Sequence, residues 1–275
     1  MYNFELLAMY NNSWGNFDFS ATAGGNIYKV NNTTDITTAD DMAIRDVVAL
    51  MSYNEVSQQE NTYRKRINSL YGSTSLGWKH LLYVDATVRG DQSSTLPVNH
   101  NEYVYPSFSG SFVFSELFKN KTIMPYGKFR MSWAQVGSDT DPYQLNLNYT
   151  KSRFTYPGYT IGYINNGTIP NKDLKPTRTN SFEFGYEGKF LNNRIGLDIT
   201  YYSQKSKNQI INMATSWTSG YPYRLINAGE IDNKGIEITL NTRPIQTKDF
   251  SWDMNFNFSK NRNKVISLPD NMDLF

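Results

Sequence analysis

Phe250-Ser251-Trp252-Asp253-Met254-Asn255-Phe256-Asn257-Phe258-Ser259 alternates large apolar side chains with small polar ones at every step. Successive side chains of a strand point to opposite faces, so this decapeptide has one face of rings and a thioether and one face of hydroxyls, amides and a carboxylate. The same period recurs along the chain. Phe182, Phe184, Tyr186 and Phe190 alternate with Glu183, Gly185, Glu187 and Lys189, and Ile195, Leu197, Ile199 and Tyr201 with Gly196, Asp198, Thr200 and Tyr202. Ile236, Ile238 and Leu240 enclose Glu237 and Thr239; Phe129, Met131 and Trp133 enclose Arg130 and Ser132; Leu82, Val84, Ala86 and Val88 enclose Tyr83, Asp85 and Thr87. Phe108, Gly110, Phe112 and Phe114 share a face opposite serines, and Phe17, Phe19, Ala21 and Ala23 alternate with Asp18, Ser20 and Thr22. With weaker segments at 3–10 and 66–77, this predicts about ten antiparallel strands of the roughly 9–11 residues that cross a bilayer at a tilt.

Charge obeys the pattern. In the eight clear strands Asp85, Arg130, Glu183, Glu187, Asp198, Glu237 and Asp253 all fall on the polar face. An Arg or Lys on a lipid face near the midplane costs about 2–4 kcal/mol, which explains strict exclusion, although soluble sheets also keep charge off a core. The connections add an asymmetry. Short ones fall near 11–15, 77–80, 116–126, 190–193 and 243–249; long ones near 29–64, 91–106, 137–179 and 204–233. Outer-membrane barrels have short turns at one end and long loops at the other. Within the first long connection Thr38 as a cap, with Ile44, Val47, Val48 and Met51 on one side, predicts a short packed helix.

Composition agrees with this class. The 275 residues are 15% aromatic and 19% charged, against about 25% charge in an average soluble domain. A net charge of +2 offers no basic footprint for nucleic acid. Absence of cysteine removes disulfides and thiolate chemistry. His80 reads as a turn residue and His100 as a loop residue, too few for a histidine metal site, so neither metal nor cofactor is expected. No run approaches the roughly 18–20 apolar residues of a spanning helix, and the first ten residues do not read as a secretory signal.

Several blocks resemble the SusC/RagA family of TonB-linked outer-membrane proteins, in order and at plausible spacing. They are Arg89-Gly90-Asp91-Gln92-Ser93-Ser94, Tyr105-Pro106-Ser107-Phe108-Ser109, the run from Gly127 to Gly137, Asp141-Pro142-Tyr143, and, most specific, Asn227-Ala228-Gly229-Glu230-Ile231-Asp232-Asn233-Lys234-Gly235-Ile236-Glu237. Ala23 to Ile27 fits an earlier strand. The resemblance implies a 22-stranded transmembrane β-barrel in the outer membrane of a Gram-negative bacterium. It also implies a plug, a SusD-like lipoprotein over the outer mouth, and TonB-driven import of oligosaccharides or peptides. Residues 1–275 then read as part of the barrel alone, without plug, TonB box or signal sequence. Asn271 and Asp273 interrupt the alternation expected of a closing strand before Phe275, so the chain reads as an internal-to-late piece truncated at both ends.

Catalytic sets are not assembled. Glu183 and Glu187 lie about 13 Å apart along one strand, beyond the roughly 5–9.5 Å of glycosidase carboxylates, and read as lumen lining. A cross-strand carboxylate such as Asp198 could lie closer, depending on register. Asp139-Thr140-Asp141 lacks the glycine and distal glutamate of a calcium loop and reads as a turn before Pro142. The Asn227–Gly235 block reads as loop closure, with Gly229, Asn233 and Gly235 able to take positive φ, and the Arg89/Asp91 pair as organising the rim. Tyr159, Tyr163, Trp217, Tyr221 and Tyr223 are the candidate cargo contacts, since rings stack on sugar or peptide. An interfacial girdle or loop packing is the plainer role and carries more weight. The runner-up function is a soluble or surface-attached β-rich protein that binds glycans; an enzyme is not expected.

Overall fold

The computed structural model describes residues 1–119, 122–151, 156–164 and 167–267. Ten strands form one open antiparallel meander: β1 (Tyr2–Trp14), β2 (Phe17–Met42), β3 (Tyr53–Trp78), β4 (Leu82–Ser93), β5 (Glu102–Phe112), β6 (Tyr126–Ser138), β10 (Thr177–Phe190), β11 (Ile195–Ala214), β12 (Tyr223–Gln246) and β13 (Ser251–Ser267). Between β6 and β10 lie β7 (Tyr149–Lys151), β8 (Gly162–Ile164) and β9 (Thr168–Ile169); β7 pairs with β8, and β9 with the start of β12. Ten main strands match the number the alternation predicts, and both weak segments, 3–10 and 66–77, lie within strands.

Register carries the alternation across the whole sheet. Phe19 faces Leu76, which faces Val84; Phe108 faces Trp133, Trp133 faces Phe182; Phe184 faces Tyr201, Tyr201 faces Ile236; Ile238 faces Phe258. A one-residue slip anywhere would put rings among carboxylates, so the pattern fixes the pairing. Among the described residues no second layer packs on the resulting apolar face. Leu70 is 74% exposed and Leu6 71%, and Phe108, Met131, Phe256 and Phe258 are exposed as well. Rings gather where this face meets the short turns: Trp14 lies near Phe17 and Phe19, and Phe114 near Phe112, Phe118, Phe129 and Tyr186.

The end-to-end asymmetry is real, but shorter than predicted. Segments 15–16, 79–81, 191–194 and 247–250 close one end tightly, with Gly15, Lys79, His80, Leu191, Asn192 and Asn193 at positive φ. The connection through 113–125 includes a short 3-10 turn, Phe114–Leu117. The far end carries 43–52, 94–101, 139–176 and 215–222. Most of the predicted 29–64 loop is instead a two-stranded ribbon, paired from Tyr28/Ile67 to Asp40/Glu55 and again at Met42/Tyr53. The predicted helix does not form; Thr38 pairs with Ser57 inside the ribbon, and only Leu50–Ser52 makes a 3-10 turn. In the ribbon every second residue of each strand exchanges backbone hydrogen bonds with its partner, whereas an isolated helical turn leaves most of its backbone groups open. The closing-strand reading at Asn271, Asp273 and Phe275 lies outside the described residues.

The Asn227–Gly235 block is also not a loop. It lies within β12, and only Gly229 takes positive φ, opposite Asn208, which does the same. Gly235 is required for space: a Cβ there would meet the Tyr202 ring and sit 2.8 Å from the Lys260 carbonyl oxygen. Gly235→Ala should therefore lower stability by about 1–3 kcal/mol in urea unfolding of the full-length protein. Gly196→Ala, with nothing nearer than 3.7 Å, should leave the midpoint almost unmoved.

Candidate functional site

All seven predicted charges, Asp85, Arg130, Glu183, Glu187, Asp198, Glu237 and Asp253, share the face opposite the rings. Glu187 sits directly across from Asp198, the closeness that spacing along one strand could not give. The two carboxylates are nevertheless held by cations. Arg130 donates to both Asp198 oxygens at 2.9 and 2.7 Å and to the Thr200 hydroxyl at 2.5 Å, while Lys128 lies 2.9 Å and Arg130 4.0 Å from Glu187. A forked guanidinium–carboxylate pair fixes geometry and leaves no carboxyl poised as a proton donor. Arg130 also occupies the space a side chain at position 185 would need, which accounts for Gly185. Asp85 accepts from Ser109 at 2.9 Å, and Asp253 pairs with Arg243 at 2.5 Å. Glu183 and Glu237 line a recess of about 290 Å³ with Thr200, Tyr202, Gln204 and Asn233.

Toward the far end, Arg89 donates to Asp91 at 2.9 Å and to Ser69 at 3.0 Å, and the Tyr105 hydroxyl donates to Asp91. The pair thus ties β3, β4 and β5 together at the rim. Above it the 139–176 connection folds over the polar face. Leu174 is fully buried against Leu96, Tyr103 and Leu225, with Leu145 and Ile210 beside them. Asn227 clamps the same connection. It accepts from the Lys175 N–H at 2.7 Å and donates to the Lys175 carbonyl at 2.7 Å and the Asn208 carbonyl at 3.0 Å.

Asp139 is the residue that sequence reading undervalued. It pairs with Lys65 at 2.7 Å and accepts from Ser93 at 2.5 Å and Thr95 at 3.2 Å, joining the ribbon base, the 94–101 connection and the end of β6. Asp141 accepts from Tyr63, whose hydroxyl is pushed above its ordinary pKa by desolvation and then by the Asp141 charge, against the opposing pull of Lys65. The signal was the paired carboxylates before Pro142; their partners lie 44 to 78 positions away.

The five candidate rings fall into two groups. Tyr159 and Tyr163 belong to the 139–176 connection, Tyr163 within β8; Trp217 and Tyr221 lie in 215–222, and Tyr223 starts β12. Tyr159 and Trp217 are 72% and 77% exposed. The groups are joined through the β9–β12 pairing, in which Tyr223 faces Thr168. Tyr159 has Tyr156 as its ring neighbour, at 6.1 Å. Among the described residues no cluster of three or more His, Asp or Glu is placed to hold a metal. His80 lies in a turn, 4.0 Å from Asp18.

Residues 2–272 match the family model described as TonB dependent receptor-like, beta-barrel. The chain is 25% identical to TonB-dependent receptor P3 of Formosa agariphila over 277 residues, covering 98% of this chain and 28% of that protein. It is 24% identical to TonB-dependent receptor SusC of Bacteroides thetaiotaomicron over 216 residues, covering 74% of this chain and 21% of that protein. The RagAB peptide transporter structure superposes with a TM-score of 0.87 at 21% identity, covering 98% of this chain and 30% of that one. The chain therefore spans under a third of the length of these relatives.

Removing the Asp139 carboxylate should loosen three connections together. Asp139→Ala is expected to speed amide hydrogen exchange in 63–66, 93–96 and 139–145 by roughly tenfold or more, the loss of charge-assisted hydrogen bonds of about 1.5–3 kcal/mol. Exchange in β11 and β13 should not change.

Proposed function

This chain belongs to the TonB dependent receptor-like β-barrel family, and from that premise we propose that it forms wall and outer loops of an outer-membrane importer in a Gram-negative bacterium. The single observation that carries the reading is the uncovered apolar face. Among the described residues no second layer covers the rings and aliphatics that ten strands present, many of them well exposed, whereas a soluble monomer keeps contiguous apolar patches to a few hundred Å². A hydrocarbon surround makes that face favourable, and antiparallel pairing satisfies the backbone groups inside it. The rings near the short turns then serve as an interfacial girdle.

In this reading the opposite face lines the lumen, through Asp85, Arg130, Glu183, Glu187, Asp198, Glu237 and Asp253. The far-end connections face outward from the cell. Cargo is an oligosaccharide or peptide; the RagAB peptide importer, as a structural neighbour, supports peptides without fixing the choice. A SusD-like lipoprotein caps the outer mouth and TonB supplies the energy. The chain catalyses nothing by itself: its opposed carboxylates are already neutralised by Arg130 and Lys128. Tyr159, Tyr163, Trp217, Tyr221 and Tyr223 are the proposed cargo contacts.

Two substitutions separate lipid from lumen. Ile238→Arg should cost about 2–4 kcal/mol in urea titrations of the full-length protein folded into lipid vesicles, while Thr239→Arg on the other face should cost far less. Equal costs would end the membrane reading. For cargo, Trp217→Ala and Tyr223→Ala should each weaken binding of the transported oligosaccharide or peptide by about fivefold or more in calorimetry, the scale of an aromatic anchor worth over 1 kcal/mol. Unchanged affinity would return these rings to a packing role.

A further inference from the structure

The 139–176 connection carries a backbone outlier. Tyr143 has a φ of 66°, in the left-handed region that a bulky side chain rarely adopts. Lys79, His80 and Leu191 take positive φ to close short turns between paired strands. Tyr143 joins no such pair. Its surroundings hold it in place instead. Pro142 before it is buried, its hydroxyl accepts from the Arg64 N–H at 3.2 Å at the base of the ribbon, and nearby Leu145 packs against the Leu174 core. Strain of this kind persists only where the surroundings over-determine it, and it gathers at ligand sites.

Tyr143 is one wall of a recess of about 200 Å³, completed by Ser94, Thr95, Leu145, Asn146 and Asn148. One side of it is fixed by the chain. Thr95 donates to Asp139 at 3.2 Å, and the Ser94 hydroxyl accepts from the Arg66 N–H at 2.9 Å. The other side is free. Asn146 and Asn148 are exposed, and among the described residues their amides hold no hydrogen bond. None of the lining residues is charged, unlike those of the recesses at Glu183 and Glu237 and at Asp139 and Asp141. An ionic group entering here would lose water without gaining a counter-ion. A side-chain amide both donates and accepts, as a hydroxyl does. Two free amides beside a ring and a leucine therefore suit a neutral ligand that carries several hydroxyls on a small carbon frame. Sites for drug-sized ligands run to roughly 300–1,000 Å³, so this space takes one sugar ring and leaves the rest of a longer chain outside. A peptide is commonly taken along its length, as an added strand or in a groove, which a recess of this size does not offer.

We propose that this recess is a subsite for one neutral sugar ring of an oligosaccharide cargo. Tyr143 is its stacking platform, Leu145 its apolar floor, and the Asn146 and Asn148 amides bond the ring hydroxyls. The inference rests on the importer reading under Proposed function and selects the oligosaccharide from the two cargo classes given there.

The test screens the full-length protein in detergent micelles against an array of neutral and acidic oligosaccharides and against a hexapeptide library, with calorimetry on whatever binds. A neutral oligosaccharide should bind. Asn146→Ala combined with Asn148→Ala should weaken it about tenfold, the scale of two lost hydrogen bonds, with no change in melting midpoint. Tyr143→Gly should weaken it at least as much while the midpoint stays level or rises, because glycine takes positive φ without strain. Tyr143→Phe keeps the ring and should keep most of the affinity. Binding of peptides alone, of acidic glycans in preference to neutral ones, or of no glycan would overturn the subsite. So would full affinity in the double variant, or a loss confined to Tyr143→Gly and matched by a lower midpoint. Peptide binding alone leaves the importer reading standing; failure of the membrane reading shows separately, as equal costs of Ile238→Arg and Thr239→Arg.

Discussion

The structure depends on one constraint, the locking of side-chain alternation to a continuous ladder of backbone hydrogen bonds. Each of the ten main strands pairs on both sides except β1 and β13, so wherever the ladder runs, the face of each residue is decided by its neighbour's. Rings and aliphatics then converge on one surface and charge on the other without any buried core between layers. What core exists is small and sits at one end, around Leu174, where the longest connection returns to the wall.

Polar-face chemistry follows from that lock. Arg130 reaches Asp198 across two strands because Gly185 leaves room between them. Asp139 can join Lys65, Ser93 and Thr95 because it follows the end of β6 close to where β4 ends and β3 loses β4 as its partner. The largely buried Asp139 bonds hold connections in place, while the more exposed Arg130–Asp198 pair contributes less on its own and chiefly fixes geometry.

How much was legible depended on contrast between faces. Phe250–Ser259 announces its strand because its two faces differ in chemistry at every step. The ribbon from 29 to 64 is polar on both faces, so alternation gives no signal there, and a helix-like spacing of Ile44, Val47, Val48 and Met51 suggested the wrong element. Gly235 looked like a turn residue because glycine alone does not say whether it is needed for φ or for space. The meeting of Glu187 with Asp198, and the three-way role of Asp139, are consequences of register, which no local stretch encodes. The five candidate rings were found by composition; the short β9–β12 pairing, which sets Thr168 beside Tyr223, was not visible.

The ribbon has a consequence of its own. Beyond Lys29 its two strands pair only with each other, and past the contacts of Tyr63, Arg64 and Lys65 with residues 139–143 at its base, the arm runs on to Met42 and Tyr53 without a third strand beside it. Shortening or lengthening this arm removes or adds pairs at its tip while every contact in the wall stays as it was. Loop closure also becomes only slowly more costly with length. The arm's tip is thus the part of the molecule where insertions and deletions can accumulate with the least damage, while the pairing that fixes the wall stays as it is.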